Sequence, residues 1–194
     1  MKIYFDGCSY TRGSPRWGVD DWKERRWSKL LSNKLGAEER NVAQSGGSNP
    51  RILRNITTTH DISDYDLAVI LMTRPARTEY YYDGKFRHVF PKKTYDFHED
   101  GEKFWNFYYK KIYDKQYGSV YEEVIQKSIK AICEVNKVPL VLMSNWEETK
   151  LSFDMMVHCD IYGRTSPTDK HPGLDAQSKI ADDIYNFINT TSVL

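Results

Sequence analysis

Ser9 is a candidate nucleophile near the start of the chain. It stands in the stretch GCSYTRG, directly after the apolar run 2–5 and between Gly7 and Gly13. A serine hydroxyl becomes a good nucleophile only when a base removes its proton and a third group orients that base. A catalytic role for Ser9 therefore requires a histidine and a carboxylate that the fold brings to the same place.

His171 is the histidine that best meets this requirement. In the stretch SPTDKHPG, Asp169 lies two residues before His171, and Pro172 fixes the backbone at the start of the predicted last helix. One loop can therefore supply both the base and the carboxylate that orients it. The other histidines are His60 in a predicted helix, His88 and His98 in a predicted insertion, and His158 in the stretch MMVHCD.

Each of these features has an ordinary structural explanation when it is taken alone. Gly-x-Ser is a common turn sequence, and Asp169 and His171 stand near a helix start, where polar residues often serve as caps. Their joint order along the chain is much harder to obtain by accident. Cys8 is interpreted as a small packed residue, because side chains alternate along a strand and Cys8 therefore points away from Ser9.

Predicted strands and helices alternate along most of the chain. The predicted strands are 2–5, 40–43, 66–72 and 139–143, and the predicted helices are 21–35, 51–60, 120–137 and 173–188. This order is typical of an α/β protein with a mostly parallel sheet between two layers of helices, a three-layer α/β/α arrangement. The loops after its strands meet at one carboxyl edge, so GCSYTRG and QSGGSN are expected to lie close together.

Residues 78–118 interrupt this alternation. The stretch YYYDGKFRHVF has Asp83 and Gly84 between two aromatic runs, which predicts a β-hairpin, and KFWNFYYKKIY follows it. We interpret the segment as an aromatic-rich insertion in a single domain of residues 1–194. Its aromatic residues and lysines would also suit single-stranded nucleic acid, but a wall of the substrate cleft or a cover for the sheet edge is the simpler interpretation.

The composition gives no general reason to expect a nucleic-acid or membrane partner. Lysine and arginine number 28 against 27 for aspartate and glutamate, so the net charge is +1. No stretch approaches the roughly 18 apolar residues of a membrane span. The three cysteines form no CxxC pair, which argues against a disulfide framework or a structural zinc site and favours a cytoplasmic location.

Three blocks of the sequence resemble the SGNH/GDSL hydrolases. GCSYTRG is similar to the family's first block, with Ser9 as the nucleophile and Cys8 where an aspartate is usual. NVAQSGGSN resembles the second block and places Gly46 where the family uses a backbone N–H in the oxyanion hole. TDKHPGLDAQSKIADDI resembles the fifth block, with His171 as the base and Asp169 as its partner. The resemblance implies the flavodoxin-like sheet of the SGNH hydrolase fold.

The third block of the family has no match here. The family usually ends strand three with a stretch whose asparagine completes the oxyanion hole, whereas this chain has LMTRPARTEY. Losing one such donor typically costs about 2.7 to 4 kcal/mol of transition-state stabilisation. Thr73 and Arg74 are the candidates to replace it, beside the amides of Ser9 and Gly46. The predicted substrate contacts are Arg77, whose guanidinium suits an anionic group, and Asn49.

The resemblance implies a serine-dependent ester hydrolase: an esterase or acylhydrolase, a carbohydrate deacetylase or an acyltransferase. Its partner would be a small-molecule or carbohydrate acyl ester, and the chemistry calls for no metal and no organic cofactor. The alternative is a catalytically weak or inactive binding module of the same fold that recognises a glycan, a nucleic acid or a protein. The missing asparagine favours this alternative, while the intact serine, aspartate and histidine oppose it. The acyl group, the alcohol and the oligomeric state stay open.

Overall fold

Strands and helices alternate along the computed structural model, which describes residues 1–15, 18–91, 99–146, 151–157, 159–166, 169, 171–191 and 193–194. The strands are β1 (Lys2–Asp6), β2 (Glu38–Asn41), β3 (Leu67–Met72), β4 (Thr78–Tyr82), β5 (Lys85–Val89), β6 (Leu140–Ser144) and β7 (Met155–Met156). The helices are α1 (Ser9–Arg12), α2 (Trp27–Lys34), α3 (Asn49–Arg54), α4 (Glu99–Phe107), α5 (Lys115–Val135), α6 (Cys159–Tyr162) and α7 (Leu174–Thr191). Single π-helical turns, Asn55–Thr59 and Tyr108–Ile112, extend α3 and α4.

The central sheet has five strands in the order β2-β1-β3-β6-β7. Every neighbouring pair in it is parallel, and Ile3 of β1 pairs with Glu39 on one side and Leu67 on the other. This is the flavodoxin-like order, in which the first strand lies inside the sheet and the crossovers change direction beside it. The predicted α/β fold and sheet type are therefore confirmed.

The six residues of β3 are all buried, because helices cover both faces of the sheet. Leu67, Val69 and Leu71 pack into a core with α2 and α7. The alternating residues Ala68 and Ile70 pack into a second core with α3 and α5. This confirms the three layers and explains the continuous apolar run of β3, since a strand between two helical layers has no solvent-facing side.

The predicted start of α2 is wrong, because a tertiary contact sets it. The apolar pattern predicts a helix from residue 21, but α2 begins at Trp27 after a turn. Arg26 provides no side-chain cap, and the Trp27 N–H donates instead to Oε1 of Gln177 in α7 at 2.9 Å. Since this bond comes from a residue far away in the sequence, no local pattern marks the start of the helix.

The apolar stripe predicted for α5 is also partly wrong. The helix begins at Lys115, earlier than predicted, because the Asp114 carboxylate accepts a hydrogen bond from the Tyr117 N–H at 2.7 Å. Tyr121 and Val124, which the spacing places in the core, are 40% and 52% exposed. The buried side of the helix keeps Ile125, Ile129 and Cys133 of the predicted stripe and adds Gly118, Glu122 and Gln126, which the apolar spacing does not include.

The predicted hairpin is confirmed, and it lies outside the central sheet. β4 and β5 pair with each other in antiparallel register and form a separate two-stranded sheet. The hairpin is attached to α3 by the ion pair of Arg54 with Glu79, whose Nε and Oε1 atoms are 2.7 Å apart. The Arg54 guanidinium also lies 3.9 Å from the ring centroid of Phe86. None of the described helices is both long and apolar enough to cross a membrane.

Candidate active site

Ser9, His171 and Asp169 form a continuous hydrogen-bonded chain. Oγ of Ser9, the first residue of α1, lies 2.8 Å from Nε2 of His171. Nδ1 of His171 lies 2.5 Å from Oδ1 of Asp169, which also accepts the His171 backbone N–H at 3.1 Å. The structure thus brings the three predicted catalytic side chains together, although they come from opposite ends of the chain. This is the arrangement in which an imidazole can take a hydroxyl proton while a carboxylate orients the ring.

The turn from β1 into α1 depends on Gly7. Its φ of +154° lies in the region that only glycine adopts readily, and a Cβ atom there would clash with the Thr11 side chain and stand 2.9 Å from the Leu71 carbonyl oxygen. Cys8 follows as the N-cap residue of α1 and is fully buried, as predicted for a packed residue. Ser9 is therefore presented directly at the carboxyl end of a central strand.

The loop that carries His171 is held by contacts with Arg164 and Thr165. The Thr165 N–H donates to the His171 carbonyl oxygen at 2.8 Å, and Arg164 pairs with Pro172 in an antiparallel bridge. The imidazole packs against the ring of Tyr10, with 5.4 Å between the centroids. The base is therefore fixed from its own loop and from the residue that follows the nucleophile.

Trp27 and Gln177 connect the two sides of the site. Indole Nε1 of Trp27 donates to the Tyr10 carbonyl oxygen at 3.0 Å, and its backbone N–H donates to Gln177 Oε1. Gln177 in turn donates from Nε2 to the Pro172 carbonyl oxygen at 3.4 Å. Both side chains are fully buried. Trp27 and Gln177 thus link Tyr10, which follows Ser9, to Pro172, which follows His171. The sequence does not reveal this link, because the helical pattern already explains Trp27 as a core residue.

A buried carboxylate lies just before the nucleophile turn. Asp6 is fully buried and accepts four hydrogen bonds: from Arg51 Nη1 at 2.8 Å, Asn55 Nδ2 at 2.8 Å, Tyr4 OH at 3.1 Å and the Gly7 N–H at 2.7 Å. Burial, and then the Asp6 charge, raise the pKa of Tyr4, which stays a donor. The end of β1 is thus fixed by α3, and sequence analysis missed these residues because they come from separate elements with no common spacing.

The same arginine holds the loop that follows β2. Arg51 donates to Gln44 Oε1 at 3.1 Å and to the Val42 carbonyl oxygen, while the Gln44 N–H donates to the Gly7 carbonyl oxygen at 3.3 Å. Arg12 Nη1 of α1 reaches Ser45 Oγ at 3.0 Å. The stretches GCSYTRG and QSGGSN therefore lie side by side, which confirms their predicted proximity.

Two backbone amides are available for an oxyanion. Gly46 has a φ of +76°, and the ring of Phe90 occupies the space where a Cβ atom would stand. Within the described part of the chain, neither the Ser9 N–H nor the Gly46 N–H donates a hydrogen bond. Both belong to the adjacent loops that follow β1 and β2, which the bond from the Gln44 N–H to the Gly7 carbonyl oxygen joins.

The structure places Asn49 differently from the sequence prediction, because its amide binds the backbone of Thr73. Asn49 is 1% exposed, and its side-chain amide accepts the Thr73 N–H and donates to the Thr73 carbonyl oxygen, each at 2.8 Å. It joins α3 to the end of β3, so we correct its predicted contact with substrate to a structural one. Thr73 is fully buried, and its N–H is taken. Its hydroxyl has no hydrogen-bond partner among the described residues.

Arg74 and Arg77 lie on aromatic rings, and Asn145 reaches the nucleophile turn. The guanidinium carbon of Arg74 is 4.6 Å from the ring centroid of Trp146, and that of Arg77 is 5.2 Å from the ring centroid of Phe90. Asn145, at the end of β6, is 8% exposed and donates from Nδ2 to Cys8 Sγ at 3.4 Å. Sequence analysis missed Asn145 because it follows a different strand from the one that carries the family's asparagine.

Comparison with family models and curated proteins finds no relative of this chain, but solved structures resemble it. No family model matches, and no curated protein sequence matches significantly. EstA, a psychrotrophic esterase from Pseudoalteromonas sp., superposes with a TM-score of 0.59 at 14% identity over 98% of both chains. A protein assigned to the lipolytic G-D-S-L family from Desulfitobacterium hafniense DCB-2 gives 0.54 at 11% identity, covering 96% of this chain and 98% of its own.

A carbohydrate esterase has the same fold over part of its length. The family two enzyme from Clostridium thermocellum, solved in complex with cellohexaose, gives a TM-score of 0.54 at 14% identity and covers 100% of this chain and 65% of its own. At such identities the likeness shows the fold alone. The chain therefore has the SGNH/GDSL hydrolase fold, which confirms the resemblance of the three sequence blocks.

Proposed function

We propose that this protein is a serine ester hydrolase in which Ser9 is the nucleophile, His171 the general base and Asp169 the group that orients the imidazole. The hydrogen-bonded chain from Ser9 Oγ through His171 to Asp169 Oδ1 is the observation that supports this proposal most directly. A hydroxyl next to an imidazole that is itself held by a carboxylate is the arrangement that activates serine for acyl transfer.

The proposed reaction has two steps. Ser9 Oγ forms a bond to the ester carbonyl carbon while His171 Nε2 takes the hydroxyl proton, and the imidazolium then gives this proton to the departing alcohol. Water attacks the resulting acyl-enzyme with His171 again as the base, which releases the acid and regenerates Ser9. The products are one acid and one alcohol for each ester and water consumed. An alcohol in place of the water would make the protein an acyltransferase.

The negative oxygen of the tetrahedral intermediates is assigned to the amides of Ser9 and Gly46. Both are free of protein acceptors within the described residues, so they can donate without giving up a bond. Arg74 stays a candidate for further stabilisation because it is exposed beside Thr73, whose own N–H is occupied. Asn145 is proposed as a positioning residue that holds Cys8, and thereby Ser9, in place.

The proposed substrate is a small-molecule or carbohydrate acyl ester. Phe90 and Trp146 present aromatic rings near the loops that carry Gly46 and Arg74, and such rings can pack against a sugar. The family two carbohydrate esterase of similar fold was solved with a bound oligosaccharide. These two observations favour a ring-bearing ester but do not select its acyl group.

Labelling by a fluorophosphonate probe tests the proposal, because only an activated serine should react. We expect mass spectrometry to find the label on Ser9. We also expect Ser9→Ala to lower the turnover of a short acyl ester by on the order of a millionfold, as in a comparable triad. Ser63→Ala is the matched control, since Ser63 is exposed and lies before β3. An equal rate in the Ser9→Ala variant would refute the proposal.

A binding module of the same fold is the second candidate. It is favoured by one observation: the stretch LMTRPARTEY, which contains the end of β3 and the residues after it, has no asparagine, so the family's usual third oxyanion donor is missing from this position. Absence of labelling at Ser9 together with saturable binding of an oligosaccharide would favour the binding module. Labelling at Ser9 with ester turnover would exclude it.

A further inference from the structure

A cleft with a volume of about 1300 Å³ lies between the segment after β3 and the start of α5. Its wall combines aromatic rings with charged side chains: Arg74, Arg77, Phe90, Tyr113, Glu122 and Trp146. Ser9 and His171 are absent from the described residues that line it, so the cleft adjoins the proposed triad rather than enclosing it. A space of this size accommodates a small-molecule ligand.

The cleft reaches the proposed oxyanion site from two sides. The Phe90 ring, which forms part of its wall, lies directly against Gly46. On the other side Trp146 follows Asn145, whose amide contacts Cys8 next to the nucleophile. An ester whose carbonyl group lies at Ser9 would therefore extend one of its two parts into the cleft.

Arg77 lines this cleft, and one of the donors of its guanidinium is unused. Nη1 of Arg77 is buried and has no hydrogen-bond partner among the residues that the structure describes. A buried guanidinium N–H without an acceptor is costly, and the ring of Phe90 compensates only in part by a cation–π contact. A carboxylate or phosphate oxygen is the acceptor that a guanidinium binds best, because its forked donors match two such oxygens.

Arg74 supplies a second cation near the first. Its guanidinium lies on Trp146, another wall of the cleft, and it is exposed, so it can follow a ligand. The acidic residues of the wall belong to the opposite side, on α5: Glu122 is 2% exposed, and Glu123 is paired with Lys127 at 2.7 Å. The two arginines of the wall thus follow β3, and α5 contributes Lys115 beside its two carboxylates.

We propose that this cleft binds an anionic group of the ester substrate, a carboxylate or a phosphate, with Arg77 as the principal contact and Arg74 as the second. This inference rests on the proposed ester hydrolase function. The ring that carries the anionic group would pack between Phe90 and Trp146. The cleft then determines which ester is bound, while the triad performs the same acyl chemistry on any ester that reaches it.

Binding to the Ser9→Ala variant tests the anion site without turnover. The probes are glucuronate, glucose 6-phosphate and glucose, which differ only in the group at the exocyclic carbon C6, and calorimetry measures each Kd. We expect one or both anionic probes to bind about 10- to 100-fold more tightly than glucose, the range for hydrogen bonds to charged groups. Preference for glucuronate assigns a carboxylate, and preference for glucose 6-phosphate assigns a phosphate. Equal binding of the three probes, or no binding, overturns the inference.

Substitution of Arg77 tests which residue is responsible. Arg77→Gln should remove the preference for the anionic probe, and its melting temperature determines whether the variant is folded. Arg77→Lys, which keeps the charge but not the forked donors, should retain part of the preference for the anionic probe. Arg25→Gln, at an exposed arginine paired with Asp21, is the control and should bind like the parent. An undiminished preference in Arg77→Gln would overturn the assignment.

Turnover by the Ser9-containing protein separates this inference from the proposed function. Acetyl esters of the three sugars are compared, and we expect KM to be lower for the anionic ester, with Arg77→Gln raising that KM and leaving kcat nearly unchanged. Hydrolysis of all three at equal KM would reject the anion site and keep the hydrolase. Absence of hydrolysis, with Arg77-dependent binding of an anionic probe, would reject the hydrolase and keep the anion site.

Discussion

Asn145 connects the end of β6 to the turn that carries Ser9. Its amide reaches Cys8 from β6, and the next residue along the chain is the proposed nucleophile. We expect Asn145→Ala to lower kcat by up to about a hundredfold, because a small displacement of a reacting group can have an effect of that size. KM should change little, since the side chain does not line the cleft within the described residues.

Two measurements distinguish positioning from general destabilisation. The rate of fluorophosphonate labelling should fall with kcat, while the melting temperature determines whether the variant is folded. Asn136→Ala is the control, because Asn136 lies at the exposed end of α5 and donates only to the Ile132 carbonyl oxygen of its own helix. A folded Asn145→Ala variant with the labelling rate and kcat of the parent would contradict the positioning role.

Side chains with a local signature could be predicted from the sequence, and those without one could not. The spacing of Asp169 and His171 within one loop and the glycines around Ser9 are local features, and the structure places all three side chains together. Asn145 and Arg51 bind residues that are distant from them in the sequence, so no local pattern marks these contacts. Asn49 was predicted to contact the substrate, whereas its amide binds the backbone of Thr73, which is far away in the sequence.

At the scale of elements, the alternation of strands and helices was sufficient to predict the sheet. The apolar run of β3 predicts a strand that is buried on both faces, and parallel pairing predicts that the loops after the strands meet at one edge of the sheet. The start of α2 and the exposed side of α5 did not follow from it. The first depends on Gln177 and the second on which side of α5 packs against α3 and the sheet, and neither contact is local.

Gln177 of α7 provides a test of how elements hold the site. It bonds the start of α2 at Trp27 and the loop at Pro172, and it is fully buried. Gln177→Met keeps the volume but leaves the Trp27 N–H without its acceptor, which should lower the free energy of unfolding by about 1 to 3 kcal/mol. It should also lower kcat, because the segments of Ser9 and His171 lose their common support.

Urea unfolding and ester turnover measure the two effects of this change. Lys179→Met, on the exposed side of the same helix, is the control and should leave both quantities close to those of the parent. A Gln177→Met variant that unfolds at a lower urea concentration but keeps the parent kcat would limit the role of Gln177 to stability. A variant with parent stability would refute the proposed support altogether.

The hairpin adds a pH-dependent element. Burial is the main reason that the pKa of His88, in β5, lies below its ordinary value of 6.5; Glu79 opposes this shift, and Arg51 and Arg54 add to it. As the pH falls, the unfolded chain therefore takes up this proton before the folded chain does. The contribution of neutral His88 to the free energy of unfolding is therefore fully present above pH 6.5. It is lost as the pH falls from 6.5 toward the lower pKa of His88 in the folded state.

His88→Asn should reduce this loss of stability in acid. The free energy of unfolding is measured in urea at pH values on both sides of 6.5 for the parent and the variant. Part of the pH dependence should stay, because burial also lowers the pKa of His60. An identical pH dependence in both proteins would show that His88 does not contribute.

At the scale of the whole molecule, we propose that residues 1–194 unfold as a single domain, with the segment of about 78–118 as an insertion. An isolated two-stranded hairpin is at best marginally stable in water, so β4 and β5 need the support of the main body. The bidentate pair of Arg54 with Glu79 and the contact of Arg54 with Phe86 supply that support. The insertion should therefore not keep its structure once α3 has unfolded.

A comparison of two probes tests this cooperativity. Trp105 lies in the insertion, within 5.2 Å of the Tyr80 ring between centroids, whereas the circular dichroism of the helices reports mainly on the layers around the sheet. The part of the fluorescence change that is lost in the Trp105→Phe variant reports on the insertion. The urea midpoint of that part should coincide with the midpoint measured by circular dichroism. Glu79→Gln should weaken the attachment and move the fluorescence midpoint to lower urea. An insertion that melts separately in the parent protein would make it an independent unit, and the cleft between β3 and α5 would then lose Phe90 before the sheet unfolds.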